Sequence, residues 1–175
     1  MKHLTTPLRE KDIVNLQIGE EVLISGVIYT ARDMAHKRMY EAILKGEELP
    51  LNLSGQILYY TGPSPSPPDR VIGSAGPTTS NRMDDYSELL LAQGLKGMLG
   101  KGNRAEDVVK AIIKYQAIYL ATIGGAGAYL AKRIIASSII AYPELGTEAI
   151  RRLEVEDFPA VVAIDVRGNN VYKDF

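Results

Sequence analysis

An α/β domain with a mixed, partly parallel sheet flanked by helices is the fold class this sequence predicts, and two observations predict it. Short β-branched apolar runs alternate along the chain with stretches of helical periodicity, the pattern of strand and helix units that share one sheet. At 175 residues, 46% of them hydrophobic, the chain is long enough to bury roughly two-thirds of its unfolded surface in one core. Residues 1–175 therefore read as a single domain.

The elements follow in order. Residues 21–29, EVLISGVIY, form a β-branched strand that feeds a helix over 30–39. Residues 56–61 are a second strand. Five of the next nine positions, 62–70, are Gly or Pro, which breaks regular structure and reads as a stiff crossover of polyproline II character rather than a domain linker. Small residues at Gly73, Ser74, Ala75 and Gly76 allow another chain segment or a ligand close to the backbone. A helix over 86–94 stops at Gly94, a short buried strand spans 95–100, and a helix over 105–115 carries Val108, Val109, Ile112 and Ile113 on one stripe. Beyond it come a strand over 117–122, a helix over 126–133, a strand over 134–141, a short helix over 146–153 and a last strand over 161–166, closed by a turn at 168–170.

Composition narrows the function. With 20 Lys+Arg against 21 Asp+Glu, a net charge of −1 provides no global field for a nucleic acid. No apolar run approaches the ~20 residues that span a bilayer, and the first residues lack an apolar signal core, so a cytoplasmic protein is expected. The chain has no cysteine and two histidines. Thiolate zinc, a cysteine nucleophile and a self-contained iron-sulfur cluster are excluded, and a histidine metal site within the chain is not expected. Two glycine-rich stretches fail as nucleotide motifs by spacing: position 95 is Leu where a P-loop around Lys101 needs Gly, and Leu130 stands at the third glycine position after Gly125 and Gly127. Residues 122–128 read instead as a strand end whose small residues permit close helix packing.

The chemistry concentrates at Gly76-Pro77-Thr78-Thr79-Ser80-Asn81-Arg82-Met83-Asp84. Three hydroxyls follow a Gly-Pro that interrupts regular structure, and Arg82 presents a planar donor fork suited to a carboxylate or phosphate. Ser80 or Asn81 serves, on the plainest reading, as the N-cap of the following helix. Arg32 and His36 are spaced i, i+4 at a helix start, where free N–H groups favour an anion. A salt bridge from Arg32 to Asp33 or Glu41, and a locally capping, partly buried His36, are the structural alternatives. Lys101 sits at a strand-to-helix junction between glycines, the usual place for ligand groups in α/β sheets. Arg32, Arg82 and Lys101 around one pocket would repel unless a multiply charged anion joined them, and a dicarboxylate is the simplest metabolite that does so.

The segments Arg32–Arg38, Gly73–Asp84, Lys101–Arg104, Tyr142–Ala149 and Val155–Ala160 together closely resemble the C-terminal domain, or separate beta subunit, of class I fumarases and L-tartrate dehydratases. The match covers nearly the whole chain in the right order. The resemblance implies a swivelling β/β/α domain, similar to the mobile domain of aconitase, in an oxygen-sensitive hydro-lyase. It also implies a 4Fe-4S cluster whose cysteines lie on an alpha subunit, one iron acting as Lewis acid on the substrate. Thr78 then falls on the catalytic-base position, working with an aspartate of the alpha part, and Arg32, Arg82 and Lys101 fall on positions that hold substrate carboxylates, with His36, Gly76 and Thr79 beside them. The implied reaction is hydration of fumarate to L-malate, or dehydration of L-tartrate to oxaloacetate. Met34 departs from the family's frequent alanine and Asn81 from its frequent glycine; Asn tolerates the left-handed backbone a glycine would supply. The alternative is a non-catalytic swivelling module that binds a dicarboxylate or a protein partner, and the isolated chain could form a homodimer through the face an alpha subunit would cover.

Overall fold

A computed structural model describes residues 1–122 and 126–173. Its strands are β1 (Lys2–Thr5), β2 (Glu21–Thr30), β3 (Ile57–Tyr59), β4 (Gly97–Gly100), β5 (Ile118–Ala121), β6 (Ile134–Ala141) and β7 (Ile150–Ile164). They form one sheet in the order β1-β2-β3-β4-β5-β7-β6, with β2 also paired to β7. β1 through β5 run parallel to their neighbours, whereas β7 is antiparallel to β2, β5 and β6. At 15 residues β7 lies along β2 on one edge and along β6 and then β5 on the other. The pairings β2-β3-β4-β5-β7 therefore close back onto β2.

Strand parity divides the interior in two. Val22, Ile24, Ile57, Tyr59, Ile118, Leu120, Phe158 and Val162 share one buried cluster with the N-terminal segment and the residues around Ala75 and Leu130. Their neighbours Leu58, Tyr60, Tyr119 and Ala163 belong to a second, shared with the helices α2 (Asp33–Leu44), α3 (Asp84–Ala92) and α4 (Glu106–Tyr115). Adjacent residues of a strand point to opposite faces, so strands buried on both faces read as continuous apolar runs. The α/β class, with a mixed sheet and flanking helices, is observed.

Several boundaries differ from expectation for identifiable reasons. Residues 146–153 are no helix: a 3-10 turn, Pro143–Glu148, gives way directly to β7 at Ile150. Ile150 and Leu153 have the i, i+3 spacing of a helix face, but pairing to β2 and β6 on both edges overrides that local signal. The expected last strand is only the end of β7. β1 and the short α1 (Glu10–Ile13) carry too few residues for a periodic signal. α2 begins at Asp33, with Arg32 as its N-cap in extended backbone, and runs on to Leu44. Gly94, with φ of 100°, follows α3 as its stop. On α4, Val108, Val109 and Ile112 are buried but Ile113 is exposed. The close packing expected over 122–128 falls partly on Ile123, Gly124 and Gly125, which lie outside the described residues. Gly127, at the start of α5 (Gly127–Ala131), does approach the backbone of the 74–76 segment, and a Cβ there would sit 2.9 Å from the Gly76 nitrogen.

Candidate active site

β2, β3 and β4 are successive parallel strands, so their carboxyl ends lie on one side of the sheet, where α/β sheets gather ligand groups. Backbone bonds extend the pattern past the strand ends: Ala31 N–H donates to the Tyr59 carbonyl (3.0 Å) and Tyr60 N–H to that of Leu99 (2.8 Å). The 76–84 loop is laid across these ends. Thr78 N–H donates to the Tyr60 carbonyl (2.7 Å), Ser80 N–H to that of Lys101 (2.9 Å), and Thr79 pairs with Lys101 as an isolated parallel bridge. Upstream, the Thr61 hydroxyl donates to the Gly76 carbonyl (2.7 Å) and the Tyr59 phenol to that of Ala75. Thr78 and Lys101 are half-buried and Thr79 and Arg82 exposed, so the site is an open shelf.

Ser80 does not cap a helix by its side chain. Residues Ser80–Met83 form a 3-10 turn whose N-cap is Thr79, without a side-chain capping bond, and α3 follows it. The Ser80 hydroxyl is buried, accepts from Lys101 N–H (3.1 Å) and donates to the Tyr119 phenol oxygen (2.7 Å), which ties the loop to the end of β4 and to β5. A Cβ on Gly100 would collide with that hydroxyl, so glycine is required at the end of β4. Asn81 lies within the 3-10 turn and has no positive φ, so the left-handed tolerance anticipated for it is not used.

Arg32 enters from the end of β2. Its side chain lies against Gly62, where a Cβ would sit 2.6 Å from Nη1. Neither expected salt bridge forms, since Asp33 pairs with Arg82 (3.4 Å) and Glu41 with Lys37 (4.0 Å). Three polar atoms at this corner, Arg32 Nε, Asp33 Oδ1 and His36 Nε2, are buried and have no hydrogen-bond partner among the described residues. An unpaired buried polar group costs about 1–3 kcal/mol, so such a cluster marks a place where a ligand or partner group would relieve it. The 3-10 turn closes over α2 beside it: Glu148 accepts from Met34 N–H (3.2 Å), and the Arg38 guanidinium pairs with Glu144 and stacks on Tyr142.

His36 is fully buried, edge-on to the Tyr60 ring with centroids 5.1 Å apart, and its Nδ1 lies 2.8 Å from the Arg32 carbonyl oxygen. Burial depresses its pKa to about 4, with the nearby Arg104 charge adding to the shift. The neutral ring with its proton on Nδ1 donates to that carbonyl, directly behind the Arg32 side chain.

Beneath the shelf lies a residue the sequence did not single out. Arg104 is 4% exposed. Its Nε donates to Asp84 Oδ1 (2.6 Å), its Nη2 to Ser87 (2.8 Å) and the Tyr60 phenol (3.3 Å), and its Nη1 to Met98 Sδ (3.5 Å). Its guanidinium carbon lies 4.9 Å from the centre of the Tyr119 ring. Burial opposes the charge, but Tyr60, Asp84 and Tyr119 more than offset this and hold the pKa above its ordinary value. Asp84 also accepts from Ala105 N–H (2.8 Å), which anchors the start of α4. Asp33, Tyr60, Ser80, Asp84 and Tyr119 were likewise missed as parts of the site. For Asp33, Ser80 and Asp84 the only signal was proximity in sequence to Arg32 and Arg82, and for Tyr60 and Tyr119 there was none.

No cysteine is present, and among the described residues no three His, Cys, Asp or Glu side chains gather to hold a metal ion. These donors do not fit an iron-sulfur cluster.

The described residues thus form a mixed α/β protein with Arg32, Thr78 and Lys101 placed just beyond the carboxyl ends of its parallel strands. Comparison with known proteins narrows the class: the family model described as Fumarase C-terminus matches residues 2–175. The chain belongs to that family. It is 40% identical over 174 residues to the anaerobic class I fumarate hydratase of Escherichia coli, covering 97% of this chain and 32% of that one. Against fumarate hydratase 2 of Leishmania major the identity is 42% over 157 residues, covering 89% of this chain and 28% of that one. The "Putative L(+)-tartrate dehydratase subunit beta" of Methanocaldococcus jannaschii is 37% identical over 182 residues, covering 99% of this chain and 92% of that one. The chain thus spans about a third of the fumarate hydratases it matches and nearly all of the archaeal subunit.

Proposed function

We propose that this chain is the beta subunit of a two-chain hydro-lyase that interconverts fumarate and L-malate, with residues 1–175 acting as one swivelling β/β/α unit. The observation that supports the reading is that Arg32 follows β2, Thr78 is bonded to the residue after β3 and Lys101 follows β4, with Arg82 paired to Asp33 next to Arg32. Arg32 and Arg82 supply donor forks for two carboxylates and Lys101 a point charge. Gly76 and Thr79 shape the backbone beside them, and His36 supports Arg32 from within the core. A fixed clamp of this kind stabilises the charge that grows on a carboxylate as the adjacent C3 proton leaves, more than it stabilises the substrate itself. The Thr78 oxygen takes that proton as its own hydroxyl proton passes to a carboxylate of the partner, and the same transfers run backwards in the hydration direction. The hydroxyl leaving C2 departs with a proton as water, so the elements of water balance.

In this reading the iron-sulfur cluster and its cysteines belong to the alpha subunit, and the residues described here bind and orient the dicarboxylate. The 37% identity to the archaeal relative named as a putative L(+)-tartrate dehydratase subunit supports a second substrate, L-tartrate, dehydrated to oxaloacetate at the same clamp. The test is anaerobic reconstitution with a cluster-bearing alpha chain, followed by parallel assays on L-malate and L-tartrate. Arg82→Ala and Lys101→Ala are each expected to lower turnover by roughly a hundredfold or more. Near-normal rates in both variants would defeat the clamp, and fumarate hydration by this chain alone, free of iron, would defeat the two-chain reading.

A further inference from the structure

Two loops from different parts of the chain must meet for the proposed site to exist: 76–84, bearing Thr78 and Arg82, and 101–105, bearing Lys101. Their direct contacts are few, namely the Thr79 bridge, the two bonds between Ser80 and the Lys101 backbone, and the bonds that Asp84 accepts from Arg104 and from Ala105 N–H. Below them, one side chain touches both. Arg104 belongs to the Lys101 loop, yet its fork ends on Asp84, the last residue of the other loop, on Ser87 one turn into α3, and on Tyr60, whose carbonyl holds Thr78. Its flat face rests against Tyr119, whose hydroxyl contacts Ser80 (2.7 Å) and donates to the Gly102 carbonyl (2.8 Å), again one partner in each loop. Tyr60, which holds Thr78, Asp84, which anchors the start of α4, and Tyr119, which contacts Ser80, all touch this guanidinium. A buried ion pair is no efficient source of stability, because desolvation offsets much of the attraction. A planar fork in three directions is, however, an efficient source of geometric specification.

We infer that Arg104 is a positioning residue that sets the spacing between Lys101 and the Thr78–Arg82 loop. It touches no substrate and acts through the two loops it joins. The inference rests on the proposed dicarboxylate site. A misplacement of about 1 Å in a positioned group costs on the order of a hundredfold in rate, so the effect belongs in turnover.

The deciding experiment is a double-mutant cycle between Arg104→Lys and Lys101→Ala in the complex reconstituted with its partner. It is run well below the unfolding temperature of each variant, with rates expressed per folded complex. Lysine keeps the charge but cannot reach Asp84, Ser87 and Tyr60 together. Arg104→Lys is expected to lower kcat by roughly tenfold to a hundredfold. In that background Lys101→Ala is expected to cost less than about a tenth of its effect in the wild type, because a misplaced lysine has little left to lose. Multiplicative losses, or a wild-type kcat for Arg104→Lys, overturn the inference and leave the clamp standing. If Lys101→Ala alone has no effect in the wild type, the site reading fails and the inference with it. Should Arg104→Lys not fold, Ser87→Ala takes its place in the cycle: it deletes the hydroxyl on which one arm of the Arg104 fork ends (2.8 Å), and the same outcomes decide.

Discussion

Arg82 and Arg104 both lie in the site region, and both pair with an aspartate, yet their surroundings make them opposites. Arg82 is 47% exposed and holds Asp33 at 3.4 Å, whereas the Arg104 side chain is fully buried and holds Asp84 at 2.6 Å. The exposed guanidinium keeps its donors available to an incoming anion at little cost to the fold. The buried one has spent them on protein partners and is committed to geometry. A cation's likeness in sequence therefore says nothing about its task, which follows from how many of its donors the fold has already used.

The contrast is broken first by stability. Arg104→Met leaves Asp84 buried without its partner, and a loss of about 3–5 kcal/mol is expected in urea unfolding; a loss under about 1 kcal/mol would place Arg104 in the class of Arg82. The buried His36 sharpens the comparison next. Its pKa in the fold is about 4 against an ordinary value of 6.5, so the unfolded chain binds a proton that the folded chain refuses between those values. Stability therefore rises with pH across that window, and about 3 kcal/mol is expected to be lost on acidification from pH 7 to pH 4. His36→Gln should remove that part of the slope, and an unchanged profile would show the ring to be more accessible than its packing indicates. The smallest effect is expected at Arg82 itself. Arg82→Ala should change unfolding stability by no more than about 0.5 kcal/mol even as it removes turnover, and a large loss of stability would mean that the Asp33 pair is structural.

The shelf was legible in part because its residues are concentrated in short, chemically unusual stretches. Thr78, Arg82 and Lys101 were found from hydroxyl-rich and Gly-flanked text, and Arg32 from its place between strand and helix. Ser80 was misjudged as a helix cap because a hydroxyl before a helical run has that local signature, while its actual partners, Lys101 and Tyr119, are 21 and 39 residues away. β7 was misjudged for the same kind of reason, since its extended state is imposed by β2 and β6 rather than by its own periodicity. His36 was placed correctly on the first turns of α2, but its complete burial depends on Tyr60 and Tyr86, which pack on it from distant segments.

By itself the sequence determined the α/β class, the order of most strands and helices, and the absence of cysteine, and it pointed to Arg32, Arg82 and Lys101 as candidates for holding a dicarboxylate. Those follow from short-range causes: β-branched runs, helical stripes, glycine stops and the fixed chemistry of side chains. Only the tertiary structure decided that the strand pairings close through β7 and that the two loops meet over β3 and β4. It alone showed that Arg104 is enclosed by Asp84, Ser87, Tyr60 and Tyr119. The reason is physical: burial and hydrogen-bond saturation belong to a neighbourhood, and a neighbourhood exists only once distant segments have packed.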